Sequence, residues 1–520
     1  MPHVPAPRAT AGWPRHLLTG LVATALLSLA LRLWLAWKLP VTGDEAFFYW
    51  WGVHLDWGYY DHPPMVGWLI GAMRALFGDT LPAIRLPIVL LPLLVGGLLG
   101  WGLAAIDRER AAWAVLFFWL APINWLGILI TTDTPLILWS LLAVAALLRA
   151  ERRPALDGRA WALYALAGVA FGGAFLSKYF AVVLAFAVLV YFALFRRERW
   201  SALLAMAVCA LPGPAINIAW NIDHGWSNVM FNVYNRNEGE AFEWSKPLTY
   251  VAMLAYLATP SALWLGWRHR TALAATLRAQ RWLACLLLLP FGFFALLSLK
   301  KVIGLHWVLA FYPFVFVWLA LALPADKLRG MALGMAAFAA LHVAAVVGVA
   351  VTSLEQWRGA KIYPQIVRSV RTAEILRAFE APGAALMANA YTPASIYGFE
   401  RRAYMPVFGR GRFHARQDDL LVDFSVYDGR TLRVLTGDDA PKLAAYAPYF
   451  ESVRAIEHLQ DGVRFHAVEG RGFRYEAYRR GVLADIHARF YDIPSWLPMT
   501  GCPFCERLCG AVRCENPSPR

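Results

Sequence analysis

About eleven apolar runs, each close to the ~20 residues that cross a bilayer, fill the first two thirds of this chain. Hydrocarbon offers no hydrogen bonds to an exposed backbone, so runs of this length are expected to be helical. A shorter apolar run at 65–77 contains Arg74 and is expected to lie at the membrane interface. The sequence therefore predicts an all-α polytopic membrane bundle of about 11 to 13 transmembrane helices. The apolar runs are 17–38, 81–105, 111–130, 134–150, 160–177, 179–195, 201–221, 248–267, 282–299, 305–323 and 331–352.

The charge content supports a membrane protein. Only 16% of the 520 residues are charged and 59% are hydrophobic, whereas about a quarter of the residues in a soluble domain are charged. The net charge of +14 would suit a nucleic-acid partner. The basic residues, however, form short clusters between apolar runs and not one stripe, which is typical of loops that anchor helices. We therefore expect membrane lipids and no nucleic acid as partners.

The distribution of arginine and lysine predicts the orientation. With a cytoplasmic N-terminus, the inner loops receive the larger basic clusters, including Arg196, Arg197 and Arg199, as the positive-inside rule requires. The first apolar run is long enough to be an uncleaved signal anchor. This predicts a multi-pass protein of the inner (cytoplasmic) membrane with a cytoplasmic N-terminus and a periplasmic or extracytoplasmic C-terminal domain.

The character of the chain changes near residue 353. Charges become frequent, and the strand-like runs AALMANA, TLRVLT and VRFHAVEG alternate with helical patterns such as YPQIVRSVRTAEILRAFE. The sequence predicts a transmembrane domain over 1–352 and a soluble extracytoplasmic α/β domain over 353–520.

The stretch GDEAFFYWWGVHLDWGYYDHPP, at 43–64, places carboxylates among aromatic rings directly after the first apolar run. Carboxylates are costly in hydrocarbon, so this segment is expected outside the lipid. We expect Gly43 to break the helix and turn Asp44 and Glu45 toward the bundle, where a carboxylate can act as a general base. Asp61 can orient a reacting group or bind a divalent metal, while His62 can contact a phosphate, ligate that metal or cap a helix.

Further ionisable residues are expected at the same outer ends of the helices. Asp133 precedes Pro135 and suits an N-cap or first-turn acid. The lysines there either anchor helices at the interface or bind a phosphate through charge-assisted contacts. This outer set comprises Asp133, Lys178, Arg236, Lys300, Lys301 and His306.

An ordered set of motifs between 17 and 323 resembles a known family. The motifs are DEAFFYW, GYYDHPPMVGW, TTDTPLILW, LSKYFAVV, PAINIAWNIDHGWSNVMFNVYNR and SLKKVIGLHWVLAFYP. Together they resemble the GT-C glycosyltransferases related to protein O-mannosyltransferases and to the lipid A aminoarabinose transferase. The resemblance implies a GT-C-type bundle that transfers a sugar, with inversion, from a polyprenyl-phosphate donor. The acceptor would be lipid A, lipopolysaccharide core, another surface glycan or a protein.

The resemblance also implies roles for individual residues. Asp44 matches the catalytic acidic position, with Glu45 beside it, and Asp61 matches an acid before proline. The donor phosphate would be bound by Lys178, by Arg236 and by Lys300 or Lys301. His62 stands where aminoarabinose enzymes carry a lysine. Asp133 and His306 would shape the cavity.

Four cysteines crowd the end of the chain as GCPFCERLCGAVRC. Cys502, Cys505, Cys509 and Cys514 are spaced closely enough for local disulfides or for a zinc-like metal site, and free thiols are the third alternative. The sequence does not choose among these. No cofactor is required by any motif.

Two other classes of function fit a membrane bundle with polar residues. A transporter or flippase of lipid-linked sugars would also retain charges at membrane depth, but no inverted repeat is visible. A membrane scaffold with an outer binding domain would leave the outer charges without a use. The glycosyltransferase interpretation accounts for both the bundle and its charges.

Overall fold

The computed structural model of the protein describes residues 14–235, 241–411, 416–437 and 440–514. The chain divides into two compact units. The first comprises Met1–Leu39, Asp79–Pro214 and Glu240–Val351, and the second comprises Pro40–Gly78, Ala215–Gly239 and Thr352–Arg520. The last boundary between the two units falls between Val351 and Thr352, and the division into a transmembrane domain over 1–352 and an extracytoplasmic domain over 353–520 stays a prediction. The structure differs from the sequence prediction in that two earlier segments, 40–78 and 215–235, belong to the same unit as the C-terminal part of the chain.

Up to residue 351 the described chain is helical. The helices are α1 (Arg15–Lys38), α2 (Gly43–Val53), α3 (Met65–Phe77), α4 (Leu81–Leu103), α5 (Arg108–Leu120), α6 (Pro122–Leu126), α7 (Asp133–Glu151), α8 (Gly158–Ser177), α9 (Ala181–Phe195), α10 (Trp200–Ala210), α11 (Pro212–Asp223), α12 (Ser227–Val229), α13 (Ser245–Ala258), α14 (Pro260–Arg268), α15 (Arg270–Ala279), α16 (Arg281–Ser298), α17 (Pro313–Ala322) and α18 (Ala325–Val351). A π-helical turn, Met230–Tyr234, continues α12.

Seven helical stretches of the described chain are long and apolar enough to cross a membrane. An eighth is obtained if α13 and α14, which meet at an angle of 93°, are one broken span. The bend lies at Thr259, whose φ is 70°, directly before Pro260. Because proline disfavours a helical residue before it, the break follows from the sequence. The seven stretches are Arg15–Lys38, Leu81–Leu103, Asp133–Glu151, Gly158–Ser177, Arg197–Asp223, Arg281–Ser298 and Ala325–Val351.

Three apolar runs that were predicted to span correspond to shorter helices. The run 111–130 is divided between α5 and α6 at Pro122, and the run 305–323 contains α17 only after a 3₁₀ turn. The run 179–195 contains α9, which has 15 residues. Hydropathy depends on the composition of a run, so it does not predict where a helix within that run ends. The count of 11 to 13 spans stays a prediction.

The second unit contains a four-stranded mixed sheet of order β1-β2-β4-β3. β1 and β2 are parallel and the other pairs are antiparallel. Residues alternate between the two faces of the sheet, with Met387 in one apolar cluster and Leu386 in the other, so both faces are buried. The small sheet in the C-terminal part of the chain confirms the α/β prediction. Its strands are β1 (Ala384–Ala388), β2 (Thr431–Gly437), β3 (Ser452–Gln460) and β4 (Val463–Arg471).

Helices cover this sheet, and the two helices in the predicted pattern YPQIVRSVRTAEILRAFE are present as α19 and α20. Val367, Ile375 and Phe379 from these helices join the cluster on one face of the sheet. The helices of this part of the chain are α19 (Tyr363–Val370), α20 (Thr372–Phe379), α21 (Tyr391–Arg401), α22 (Asp418–Leu421), α23 (Tyr475–Tyr478), α24 (Ala484–Phe490) and α25 (Pro503–Cys509).

Candidate functional site

Helix α2 begins with a capping box that uses Glu45. Thr42 is the N-cap, and its backbone N–H donates to a Glu45 carboxylate oxygen at 3.2 Å. Such reciprocal bonds satisfy backbone groups that a helix start leaves unpaired. Glu45 is fully buried. The sequence prediction gave Glu45 a catalytic position, whereas the structure engages it in holding the start of α2.

Asp44, the other acid of the pair, is exposed. Among the residues that the structure describes, no hydrogen bond or ion pair engages its carboxylate. Surrounding protein restricts its hydration, and this restriction, followed by the negative charge of Glu45, raises the pKa of the Asp44 carboxyl. An accessible carboxylate with a raised pKa is a suitable proton acceptor.

Gly43 fixes α2 against α21 by close approach. A Cβ atom at Gly43 would lie 2.2 Å from Thr392 Cγ2, so any larger residue would force Thr392 or the helix to shift. The prediction that Gly43 breaks the helix is wrong, because Gly43 is the first residue of α2. Because Gly43 has no side chain, the backbone next to Asp44 can lie close to α21.

Most aromatic residues of the segment 43–64 pack inside the protein, whereas Trp57 is 61% exposed. Trp51 and Tyr59 are both fully buried and stack with ring centroids 4.5 Å apart. Phe47 contacts the ring of Tyr391 and Tyr49 contacts that of Phe399, both from α21. Rings enclosed by protein in this way cannot face a ligand.

His62 lies against the face of α2 that carries Asp44. Its ring contacts Phe48 and Trp51 edge to face, with centroids 6.4 and 6.1 Å away. Asp44, Phe48 and Trp51 are spaced four and three residues apart, so they share one side of the helix. Asp61, next to His62, is buried at 9% exposure. The four predicted residues at 44, 45, 61 and 62 all belong to the second unit.

Polar residues that the sequence analysis missed hold the segment before His62. Asn228, Asn232 and Gln417 form side-chain hydrogen bonds to the backbone of residues 59–61. The two asparagines, four residues apart in a helical pattern, were a readable signal of one polar face. Gln417 lies in the polar run RQDD, at 416–419, which is buried throughout.

Asp133 and Lys178 form a buried ion pair in the first unit. Lys178 Nζ donates to both Asp133 carboxylate oxygens, at 2.8 and 2.9 Å. The two side chains are 6% and 9% exposed. Asp133 lies in the first turn of α7, as the sequence predicted, and Lys178 caps the end of α8. The carboxylate therefore provides the partner that was expected to be a phosphate.

The remaining predicted cations follow α16. Lys300 is exposed, and its backbone carbonyl accepts a hydrogen bond from Lys246 Nζ at 2.8 Å. Lys301 is half-buried, and His306 is exposed on the 3₁₀ turn Leu305–Val308. Lys246 thus fixes the backbone that presents Lys300. Arg236 lies outside the described residues.

The terminal cysteines pair as two disulfides, Cys502–Cys505 and Cys509–Cys514. Cys209 and Cys285 are free. Within the described ranges, no group of three or more His, Cys, Asp or Glu side chains can hold a metal ion. Of the three alternatives for the cluster, disulfides are the one present, because each sulfur has a neighbouring sulfur as its partner.

Thiol counting tests this pairing. Protein isolated without reductant and alkylated after denaturation should carry two modified cysteines, Cys209 and Cys285. Prior reduction should raise the count to the six cysteines of the chain. Alkylation of all the terminal cysteines without reductant would contradict the disulfides.

Known proteins match this chain in sequence and in fold. Residues 61–220 match the family model described as dolichyl-phosphate-mannose-protein mannosyltransferase. The lipid A galacturonosyltransferase RgtD of Rhizobium johnstonii is 28% identical over 201 residues, which cover 36% of this chain and 39% of that protein. The match thus spans well under half the length of that relative.

The fold matches crystal structures of ArnT from Cupriavidus metallidurans. The apo structure aligns with 87% of this chain and 98% of ArnT, at a TM-score of 0.62 and 16% identity. The structure of ArnT bound to undecaprenyl phosphate aligns with 86% of this chain and 98% of ArnT, with the same score and identity. The protein is an integral membrane protein with an ArnT-like fold. The resemblance to the GT-C glycosyltransferases is confirmed.

Proposed function

We propose that this protein is a membrane glycosyltransferase that moves a sugar from a polyprenyl-phosphate donor to lipid A. The observation that carries the proposal is Asp44, an accessible carboxylate with a raised pKa beside a capped helix start. The similarity to a lipid A galacturonosyltransferase supports the acceptor class. The fold shared with an undecaprenyl-phosphate-binding protein supports the donor class. Lipopolysaccharide core or another surface glycan is the next acceptor class to test.

The proposed reaction is one displacement with inversion. An acceptor hydroxyl attacks the anomeric carbon, and Asp44 takes the hydroxyl proton as the new C–O bond forms. The bond from the anomeric carbon to the phosphate oxygen breaks, and its electron pair leaves with polyprenyl phosphate. Lys300 and Lys301 stabilise the charge that develops on that phosphate. Asp61 orients the reacting groups beside His62.

The pKa of Asp44 gives this reaction a pH signature. Because the base must be deprotonated, kcat/KM should fall as the pH drops through the raised pKa of Asp44. Glu45→Gln keeps an oxygen that accepts the Thr42 N–H but removes the negative charge. The low-pH side of the kcat/KM profile should therefore shift to lower pH. The shift should be partial, because restricted hydration is the larger cause of the raised pKa of Asp44.

Rate profiles of wild type, Glu45→Gln and Asp56→Asn test this signature. Asp56→Asn also removes a negative charge from the segment, but at a carboxylate that accepts from the Trp57 backbone. Its profile should match wild type. A low-pH side that falls at the same pH in all three proteins would refute the coupling of Asp44 to Glu45.

We further propose that the protein lies in the inner membrane with its N-terminus in the cytoplasm and residues 353–520 outside. The basic inner clusters support this orientation. The paired cysteines suit an oxidising compartment.

Proteoliposomes test the proposed function. The purified protein is given undecaprenyl-phosphate-linked hexose, hexuronic acid or aminopentose, together with lipid A. One donor should yield lipid A heavier by one glycosyl residue. Movement of an intact donor between leaflets, without any cleavage, would instead identify a transporter.

A further inference from the structure

Three amide side chains bind three consecutive backbone units immediately before His62. Asn228 Nδ2 donates to the Tyr59 carbonyl at 2.9 Å, and Asn232 Nδ2 donates to the Asp61 carbonyl at 2.8 Å. Between them, the Tyr60 N–H donates to Gln417 Oε1 at 3.0 Å. We call Asn228, Asn232 and Gln417 the amide clamp. All three of these hydrogen bonds go to backbone groups of the segment 59–61, so they fix the path of the chain there.

The amide clamp is itself rigid. Asn228 is fully buried and Gln417 is 3% exposed. Asn232 Nδ2 also donates to the Asn228 carbonyl at 2.9 Å, one helical turn away. Side chains held this tightly keep few alternative rotamers, so the bonded backbone has little freedom to move.

The clamped segment is also held from its other sides. The Tyr59 hydroxyl donates to the Trp51 carbonyl of α2 at 2.7 Å, and the two rings stack. The Tyr59 N–H donates to the His62 carbonyl at 3.1 Å, which closes the turn. Pro63 and Pro64 then lead into α3 with restricted backbone angles. Asp61 therefore projects from a backbone constrained before and after it.

The cysteine-rich end of the chain contacts the segment that carries Asn228 and Asn232, which we call the first arm of the amide clamp. The Gly225 N–H donates to the Gly501 carbonyl at 2.9 Å, and Trp226 Nε1 donates to the Pro498 carbonyl at 2.7 Å. Gly225 has a φ of 60°, and a Cβ there would lie 2.7 Å from Cys502 Sγ. Both contacts lie just before Asn228.

The same terminal element also contacts the segment that carries Gln417, the second arm of the amide clamp. Arg507, on α25, donates to the carbonyls of Asp419, Leu420 and Val422 at 2.7, 2.8 and 2.6 Å. These carbonyls belong to residues two to five positions after Gln417. The disulfide Cys502–Cys505 lies between the two contact points along the chain. Segment 498–507 thus contacts the flanks of both arms.

We propose that the amide clamp, fastened by segment 498–507, consists of positioning residues that hold Asp61 in the geometry needed for glycosyl transfer. This inference rests on the proposed function. Misplacement of a reacting group by about 1 Å can cost on the order of 100-fold in rate, so loss of the amide clamp should lower kcat more than it raises KM for the donor.

Asn232→Leu and Asn235→Leu form a matched pair that tests the amide clamp. Asn235 lies three residues along and donates to the Phe490 carbonyl at 3.2 Å, away from the segment. Asn232→Leu should lower kcat roughly 10- to 100-fold. It should also speed hydrogen exchange in the peptide 57–64 of the full-length protein in detergent. Asn235→Leu should leave both near wild type.

A second pair tests the fastening and serves if Asn232→Leu does not fold. Arg507→Met removes three bonds to backbone carbonyls, whereas Arg513→Met removes bonds to Leu497 and Ile493 within the terminal segment. Only Arg507→Met should speed hydrogen exchange in the peptide 57–64.

The outcomes of the two pairs are distinguishable. Equal hydrogen exchange in the variant and its control, within both pairs, would overturn the amide clamp. Faster exchange with unchanged kcat would overturn its positioning role. Absence of turnover by the wild type, with the exchange difference intact, would overturn the proposed function and with it that role.

Discussion

Asp44→Asn is expected to lower kcat by about 10²- to 10⁴-fold, the usual contribution of a general base. The change replaces one carboxylate oxygen by an NH₂ group, so the size and shape of the side chain barely change. Asp44 is exposed and lies outside the capping box that Glu45 forms. Folding and donor binding should therefore persist. The measurement is single-turnover sugar transfer, with circular dichroism and a thermal melt to check the fold.

Asp56→Asn is the matched control for this prediction. It is the same substitution in the same segment, at a carboxylate whose Oδ1 accepts from the Trp57 N–H. The asparagine oxygen can keep that bond, so turnover should stay near wild type. Near-normal turnover by Asp44→Asn would remove Asp44 from the mechanism.

Asp133→Ala is expected to destabilise the protein by about 3–5 kcal/mol, because it leaves the Lys178 ammonium buried without its carboxylate. Both side chains of this pair are less than a tenth exposed, and Lys178 uses both Asp133 oxygens. The loss should appear as a lower unfolding midpoint in denaturant titrations of detergent-solubilised protein.

Two further variants separate the buried charge from the loss of a contact. Asp133→Ala with Lys178→Met removes both charges, so it should be more stable than Asp133→Ala alone. Glu243→Ala breaks the pair with Lys246 at 3.7 Å, in which Glu243 is 62% exposed. Solvent screens that pair, and its loss should cost less than about 1 kcal/mol. A double variant no more stable than Asp133→Ala would contradict the ion-pair account.

The sequence predicted the fold where one residue pattern determines one element. Long apolar runs became helices, and runs of alternating or continuous apolar residues became β1, β2 and β4. The breaks were harder to predict, although Pro122 and Pro260 mark them. The turn between β3 and β4 was also readable. Asp461 and Gly462 have φ of 48° and 81°, as the Asp-Gly pair of a tight hairpin requires.

The site was predictable only in part. The pattern Thr42-Gly43-Asp44-Glu45 is a capping-box sequence, and this local pattern is enough to assign Glu45 to the helix start. The pair of Asp133 with Lys178 spans 45 residues. The bond of Gln417 to Tyr60 spans 357. Contacts at such separations depend on tertiary packing, which local patterns do not encode.

Release of undecaprenyl phosphate by the purified protein is the most direct test of the proposed function. The protein is mixed with an undecaprenyl-phosphate-linked sugar, with and without lipid A, and the freed lipid phosphate is quantified by mass spectrometry. We expect wild type to release undecaprenyl phosphate and to glycosylate lipid A in equal amounts, and Asp44→Asn to do neither. Unchanged donor in every wild-type reaction, across hexose, hexuronic acid and aminopentose donors, would contradict the account.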